Sequence, residues 1–239
     1  MAVSARSLDT VPRHVAIIMD GNRRWSAIHG LGLLEGYRRG VKALRAAVAA
    51  ALERGVGVLT VYGFSTENWR RDAAEVSLLM NVCAAAAQSE LFALVSGSVR
   101  VRIVGDIAPF PRGTRTALAR LVDATALNSR LILQLALNYS GRAEIVQAVR
   151  SIVADAANGR VRCDEIDESF LRARMYAPDC PDPDLLIRTG GDRRVSNFLL
   201  YQLAYTELFT TPVLWPDFSE QHFAQAIGDY ERRRRRFGA

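Results

Sequence analysis

Five short apolar runs, at residues 15–19, 58–64, 99–104, 131–137 and 185–187, recur at wide intervals along the chain. Each is too short for a core helix and reads as a buried strand. Residues 34–54, 73–95, 113–128 and 142–158, between them, carry apolar residues at helical spacing. A last helix is expected from Ser219, a residue suited to N-capping, to about Arg235. Strands alternating with helices predict an α/β fold: a single domain with a central, mostly parallel sheet flanked by helices. The 239 residues suffice for one such core, and no internal repeat or low-complexity linker divides them.

The charge balance narrows the ligand. A formal net charge of +6 is carried almost wholly by arginine, since Lys42 is the one lysine. Guanidinium grips phosphate oxygens in pairs, so nucleic acid and small phosphates both fit this balance. No apolar run reaches the roughly 18 residues that span a bilayer, and residues 1–12 lack the apolar core of a secretory signal. The three scattered cysteines, Cys83, Cys163 and Cys180, form no Cys-x-x-Cys pair, and the three histidines form no His-x-x-x-His pair. On this spacing neither a disulfide framework nor an imidazole metal site is expected, and a cytoplasmic location is.

In parallel sheets ligands sit beyond the carboxyl ends of the strands, and there the unusual residues gather. After the first run comes Asp20-Gly21-Asn22-Arg23-Arg24-Trp25. A glycine turn with guanidinium beside it makes a diphosphate cradle, in which a carboxylate makes sense holding Mg²⁺. An Asp-Gly turn with solvated arginines accounts for the same residues. After the second run, Ser65-Thr66-Glu67-Asn68-Trp69-Arg70-Arg71 reads either as a helix N-cap or as a polar loop positioning a proton acceptor. After the fifth, Arg188-Thr189-Gly190-Gly191-Asp192-Arg193-Arg194-Val195-Ser196 offers arginines, a hydroxyl and a close-approach Gly-Gly for a second diphosphate. Other templates fail: the glycines at 30, 32 and 36 lack dinucleotide-binding spacing, and there is no P-loop, no Gly-x-Ser-x-Gly and no Asp-Asp-x-x-Asp. The Arg232–Arg236 run reads as a solvated helix end or a basic patch.

Several longer motifs carry a resemblance. His14-Val-Ala-Ile-Ile-Met-Asp20-Gly-Asn-Arg-Arg-Trp25, Tyr62-Gly-Phe-Ser-Thr-Glu-Asn-Trp69, Asn138-Tyr-Ser-Gly-Arg142, Ile187-Arg-Thr-Gly-Gly-Asp192, Ser196-Asn-Phe-Leu-Leu-Tyr-Gln202, Tyr205-Thr-Glu207-Leu and Trp215-Pro-Asp-Phe218 stand in one order. Together they resemble the cis-prenyltransferases, the undecaprenyl diphosphate synthase-like enzymes, from about His14 to Gly238. The resemblance implies an N-terminal extension over residues 1–12 and a catalytic domain over 13–239. It implies a Mg²⁺-dependent, homodimeric enzyme that condenses isopentenyl diphosphate with an allylic diphosphate to give a Z-configured polyprenyl diphosphate.

Carried over by position, the catalytic residues are Asp20 and Asn68, and the metal ligands are Asp20 and Glu207. The allylic diphosphate falls to Gly21, Asn22, Arg23, Arg24 and Trp25, with Tyr37. Ser65, Thr66, Glu67, Trp69 and Arg71 complete the proton-removal loop, and Arg188, Arg194 and Ser196 hold isopentenyl diphosphate. The tail around Arg236-Phe237-Gly238 is expected near the partner subunit's site. This chain departs from the family pattern in having Arg23 for a usual Gly, and Leu33 and Tyr37 for a usual Arg and His. Gly63 favours an open tunnel, the Ala84–Ala87 run reads either as tunnel wall or as close helix packing, and Gly36-Tyr-Arg-x-Gly40 resembles short-chain members of the family; a medium or long product is expected, with peripheral membrane contact for a long one. The other readings are a short-chain product of two or three isoprene units, a non-catalytic partner subunit and a nucleic-acid-binding protein. The intact loops argue against the partner subunit, and no recognition module supports nucleic acid.

Overall fold

The computed structural model describes residues 11–233. Residues 1–10 of the expected 1–12 extension, the arginines beyond 233 and the tail at 236–238 lie outside the described residues. Six strands form one sheet: β1 (His14–Ile18), β2 (Val58–Ser65), β3 (Val99–Val104), β4 (Leu131–Tyr139), β5 (Leu185–Arg188) and β6 (Glu207–Thr210). Every pairing is parallel, in the order β3-β4-β2-β1-β5-β6. The expected mostly parallel sheet is thus wholly parallel, with a sixth strand that the apolar-run reading did not contain.

Helices α1 (Asn22–Ile28), α2 (Leu33–Glu53), α3 (Ala73–Ser89), α4 (Leu91–Ser96), α5 (Arg112–Thr125), α6 (Gly141–Ala157), α7 (Glu168–Arg172) and α8 (Glu220–Arg232) surround the sheet. The helical stretch expected over 73–95 is two helices that break at Glu90. β1 is buried along its whole length, and successive residues feed different cores. Val15 and Ile17 join the large cluster with α2, α3, α5 and α8, while Ala16 and Ile18 pack with Tyr139, Phe198 and Leu199 on the other face. This two-faced burial is what a central parallel strand requires, and it explains the apolar run of β1. Among the described residues, no helix is long and apolar enough to cross a membrane.

The strand order positions the site. β1 lies between β2 and β5, so the loops leaving the carboxyl ends of these three strands emerge side by side. Asp20, the 65–71 loop and the 188–196 loop come together from distant parts of the chain for that reason.

Candidate active site

The chain leaves β1 through Asp20 and Gly21, whose φ of 117° suits only glycine and turns it into α1. The Thr189 hydroxyl accepts from Asp20 N–H at 2.9 Å and donates to the Asp20 carbonyl at 2.8 Å, tying the end of β1 to the loop after β5. The Asp20 carboxylate meets a guanidinium on each side: Arg188 Nη2 at 2.8 Å and Arg24 Nη2 at 3.0 Å. Burial pushes this carboxyl up, but the two arginines together outweigh it and hold it below the ordinary carboxylate range. Arg24 also donates to the Gly190 carbonyl at 2.7 Å. Gly190 has φ 82°, and a Cβ there would stand 3.1 Å from the Asp20 carbonyl oxygen, so the left-handed backbone and the close approach to the end of β1 both favour glycine.

Arg188 is the buried centre of the second diphosphate candidate. It donates to Ser196 Oγ at 2.8 Å, to Asp192 at 3.2 Å and to the Arg194 carbonyl. Its Nε is buried without a hydrogen-bond partner, and both it and Arg194 line the cavity described below. Arg194 is largely exposed and reaches Asp192 at 2.7 Å. Ser196 and its neighbour Asn197 both take positive φ, 48° and 62°, a conformation uncommon in non-glycine residues and concentrated at functional sites.

The 65–71 loop is a capped turn that also borders the cavity. Thr66–Arg70 forms a 3-10 turn capped by Ser65, and Asn68 Oδ1 accepts from Ser65 N–H at 3.0 Å. Ser65, Glu67 and Asn68 nevertheless line the same cavity as Asp20 and Arg188. Glu67 accepts from Asn197 at 2.8 Å, fastening this loop to the 188–197 segment. The hydrogen bonds from Asn197 and those of surrounding polar groups hold the Glu67 carboxyl below its usual range against the opposing pull of burial. Trp69 donates to Asn138 at 2.8 Å and stands edge-on to Phe64.

At the rim, Tyr37 donates to Glu75 at 2.8 Å, and Arg71 reaches Glu75 at 2.9 Å and the Tyr37 oxygen at 3.3 Å. Arg23 approaches the same carboxylate at 3.7 Å. Burial and the Glu75 acceptor push the Tyr37 phenol up to about 12, so it remains a donor. The site therefore contains Glu75, Asp192 and Asn197, to none of which the motif reading gave a role.

Of the expected residues, Gly21, Arg23, Arg24, Thr66 and Trp69 do not line the cavity themselves, and two more are engaged elsewhere. Trp25 is buried, donates to Asp217 at 2.9 Å and stacks on His29 instead of lining the cavity. Glu207 opens β6 opposite Leu185, three residues before the Arg188 level, and its carboxylate pairs with Arg233 at 2.6 Å. Within this chain it does not join Asp20. Among the described residues, no three His, Cys, Asp or Glu side chains gather as a metal cage. The donor set at Asp20 still fits Mg²⁺, which binds through one or two carboxylates and completes its shell with substrate phosphates and water.

From this polar mouth the cavity, about 890 Å³ in all, runs between the sheet and helices α2, α3 and α4. Its deep walls are apolar, with Leu44, Val48, Leu79, Cys83, Leu133 and Leu135 among them. Gly63 lines it too, so no side chain from that position crosses the space. A charged mouth thus opens directly onto an apolar interior.

A family profile described as putative undecaprenyl diphosphate synthase matches residues 18–238. The isoprenyl transferase of Heliobacterium mobile is 50% identical over 228 residues, covering 95% of this chain and 88% of that one. The ditrans,polycis-undecaprenyl-diphosphate synthase ((2E,6E)-farnesyl-diphosphate specific) of Xanthomonas axonopodis pv. citri is 46% identical, covering 95% and 89%. Among solved structures, lavandulyl diphosphate synthase from Lavandula x intermedia, in complex with dimethylallyl diphosphate, superposes with a TM-score of 0.94 at 34% identity, covering 97% and 100%. A probable undecaprenyl diphosphate synthase from Campylobacter jejuni gives 0.80 at 27%, covering 95% and 99%.

Proposed function

The chain belongs to the undecaprenyl diphosphate synthase family of prenyltransferases, and from that premise we propose that it condenses isopentenyl diphosphate with an allylic diphosphate to give a Z-configured polyprenyl diphosphate of medium or long chain. The observation that carries this reading is one cavity that joins Asp20, Arg71, Arg188, Arg194 and Ser196 at its mouth to an apolar interior. Polyanions need fixed guanidinium groups, and the chain that grows from them needs a dry, apolar space.

Asp20 would hold Mg²⁺ against the allylic diphosphate, with Gly21, Asn22, Arg23 and Arg24 around that group and Tyr37 and Arg71 at its rim. Bound Mg²⁺ would neutralise charge on the departing diphosphate. Arg188, Arg194 and Ser196 would hold isopentenyl diphosphate, the buried guanidinium fixing its orientation before reaction. Asn68 is a neutral amide and a poor base, and its Oδ1 is already engaged by Ser65 N–H. Its free N–H is suited to orient the diphosphate oxygen that takes the proton from isopentenyl C2.

A homodimer is part of the same proposal. Val146, Val149 and Val153 share one face of α6 and are exposed there, a small apolar stripe that a second copy would cover. We place the reaction in the cytoplasm, where the free thiols of Cys83, Cys163 and Cys180 persist.

The test is incubation with labelled isopentenyl diphosphate, Mg²⁺ and dimethylallyl, geranyl or farnesyl diphosphate in parallel, with products resolved by chain length. A ladder of long products from farnesyl diphosphate is expected. A single addition to a short primer would instead support short-chain synthesis, the reading favoured by the close superposition on the dimethylallyl diphosphate complex. No turnover with any primer would overturn the proposed activity.

A further inference from the structure

We propose that the Arg45–Glu90 ion pair latches a side port in the apolar cavity, and that a growing hydrocarbon chain leaves the fold through this port. The proposal rests on the prenyl-chain reading of the cavity. On α2, Val41, Leu44, Val48 and Leu52 face the cavity at helical spacing, and Arg45 and Ala49 line it beside them. The opposite wall is α3, which ends at Ser89, so Glu90 stands at its break with α4. Arg45 spans this gap with two contacts, Nε to Oε2 at 2.9 Å and Nη2 to Oε1 at 2.6 Å.

The pair faces two environments. The Glu90 side chain is 16% exposed and the Arg45 side chain 62%, so the contact runs from the cavity wall outward to solvent. Around it the wall is thin, because Ala49 and Ala93 line the cavity and are themselves exposed. Further in, Leu52, Leu94 and buried Val99 make a floor without charge. Outside the gap, Phe92 and Val95 of α4 are exposed, an apolar footing for a chain that emerges there.

The chemistry explains why such a closure is polar. Hydrocarbon gains nothing by covering a paired carboxylate, so a growing chain stops at the pair while it is shut. A solvent-facing ion pair is weak, so it can part once enough chain presses on it. An apolar plug at the same place would merge with the chain and offer no such threshold. Roughly 12 Å of helix rise separates Arg45 from Tyr37 at the mouth, which keeps the latch clear of the diphosphates.

The experiment compares product lengths from farnesyl diphosphate, labelled isopentenyl diphosphate and Mg²⁺ for three proteins: wild type, Arg45→Ala with Glu90→Ala, and the swap Arg45→Glu with Glu90→Arg. The neutral variant is expected to shift the distribution upward by at least one isoprene unit, with the rate of the first addition unchanged. The swapped pair is expected to restore the wild-type distribution. An unmoved distribution in the neutral variant, with first addition intact, would overturn the port alone. Loss of first addition in the neutral variant that the swap rescues without any change in chain length would make the pair structural, again overturning the port. No product from the wild type would overturn the synthase reading and the port with it.

Discussion

Asp20 sits where two guanidinium groups overcome the effect of burial, so its carboxylate is ionised at neutral pH and available to a cation. Because its folded pKa lies below the unfolded value, the stabilisation from these pairs is present above the ordinary carboxylate range and is lost as pH falls through the folded pKa. Asp20→Ala is expected to lower kcat at least about a hundredfold, the scale of losing one preorganised charge contact, and to leave the fold intact. Steady-state kinetics paired with a thermal melt would check both halves; full turnover would sink the metal assignment. Glu75 makes a different case, because it is buried and accepts from both Tyr37 and Arg71. Glu75→Ala leaves those donors unpaired and is expected to cost about 1–3 kcal/mol in denaturant unfolding, with a raised KM for the allylic diphosphate. An unchanged KM would show that Arg71 needs no such support. Asp20, Arg188 and Ser196 were legible in sequence, since each stands just at or beyond a strand end in a polar motif. Glu75 and Asn197 were not, because their roles arise from partners 38 and 130 positions away. Trp25 lies in the same motif as Asp20, but helical rotation carries it to the face of α1 that meets Asp217.

The helix pair beside the mouth is held together by missing side chains. A Cβ at Gly36 would lie 2.2 Å from Ser26 Oγ, and one at Gly40 would lie 2.5 Å from Asn22 Oδ1 and 3.1 Å from Trp215. α1 therefore docks directly on the α2 backbone and carries Asn22 and Arg24 with it. Gly40→Ala is expected to destabilise by about 1–3 kcal/mol through overpacking and to reduce turnover by moving α1. Retained stability and turnover would mean the interface can shift freely. β2 holds a second device: its pairing with β4 slips between Tyr62 and Phe64, leaving Gly63 as the extra residue of a bulge. A Cβ there would already stand 3.0 Å from Leu137, so Gly63→Leu is expected to fill the cavity and shorten the product. Products of unaltered length would place the growing chain elsewhere. The central strands were legible because burial on both faces leaves an apolar run. β6 was not, since its four residues alternate between half-buried and exposed at the sheet edge and include Glu207 and Thr210. α1 was hidden for another reason: Gly21-Asn22 reads as a turn, and only the sharp φ at Gly21 lets a helix begin at once.

At the scale of the whole molecule, the apolar stripe on α6 and the buried histidine at the start of the sheet predict two bulk properties. Val149→Arg is expected to split a dimer into monomers in sedimentation or size-exclusion measurements, because it puts a charge in the middle of the Val146–Val149–Val153 face. A wild-type monomer would remove the stripe as an interface. His14 is legible in sequence as the first residue of a family motif, but its structural load is not. Nδ1 lies 2.7 Å from the Pro181 carbonyl, and Nε2 lies 2.7 Å from Thr60 Oγ1, which continues to Gln134 at 2.9 Å and on to Cys180 Sγ at 2.8 Å. This buried chain ties β1, β2 and β4 to the segment leading into β5. Burial lowers the His14 pKa from its ordinary value to about 4, against the smaller opposing effects of Pro181 and Asp184. The unfolded chain therefore takes up the proton first as pH falls. The neutral imidazole's contribution is fully present above about 6.5 and declines progressively between 6.5 and 4, until the folded form is protonated too. Depressed carboxylates such as Asp20 and Glu67 lose their contribution at still lower pH, so the two effects separate along the pH axis. Unfolding measured from pH 8 to 5 is expected to show stability falling below about 6.5 in the wild type. In His14→Asn, with no imidazole to titrate, that part of the slope should flatten; an identical slope in both proteins would assign it to another group.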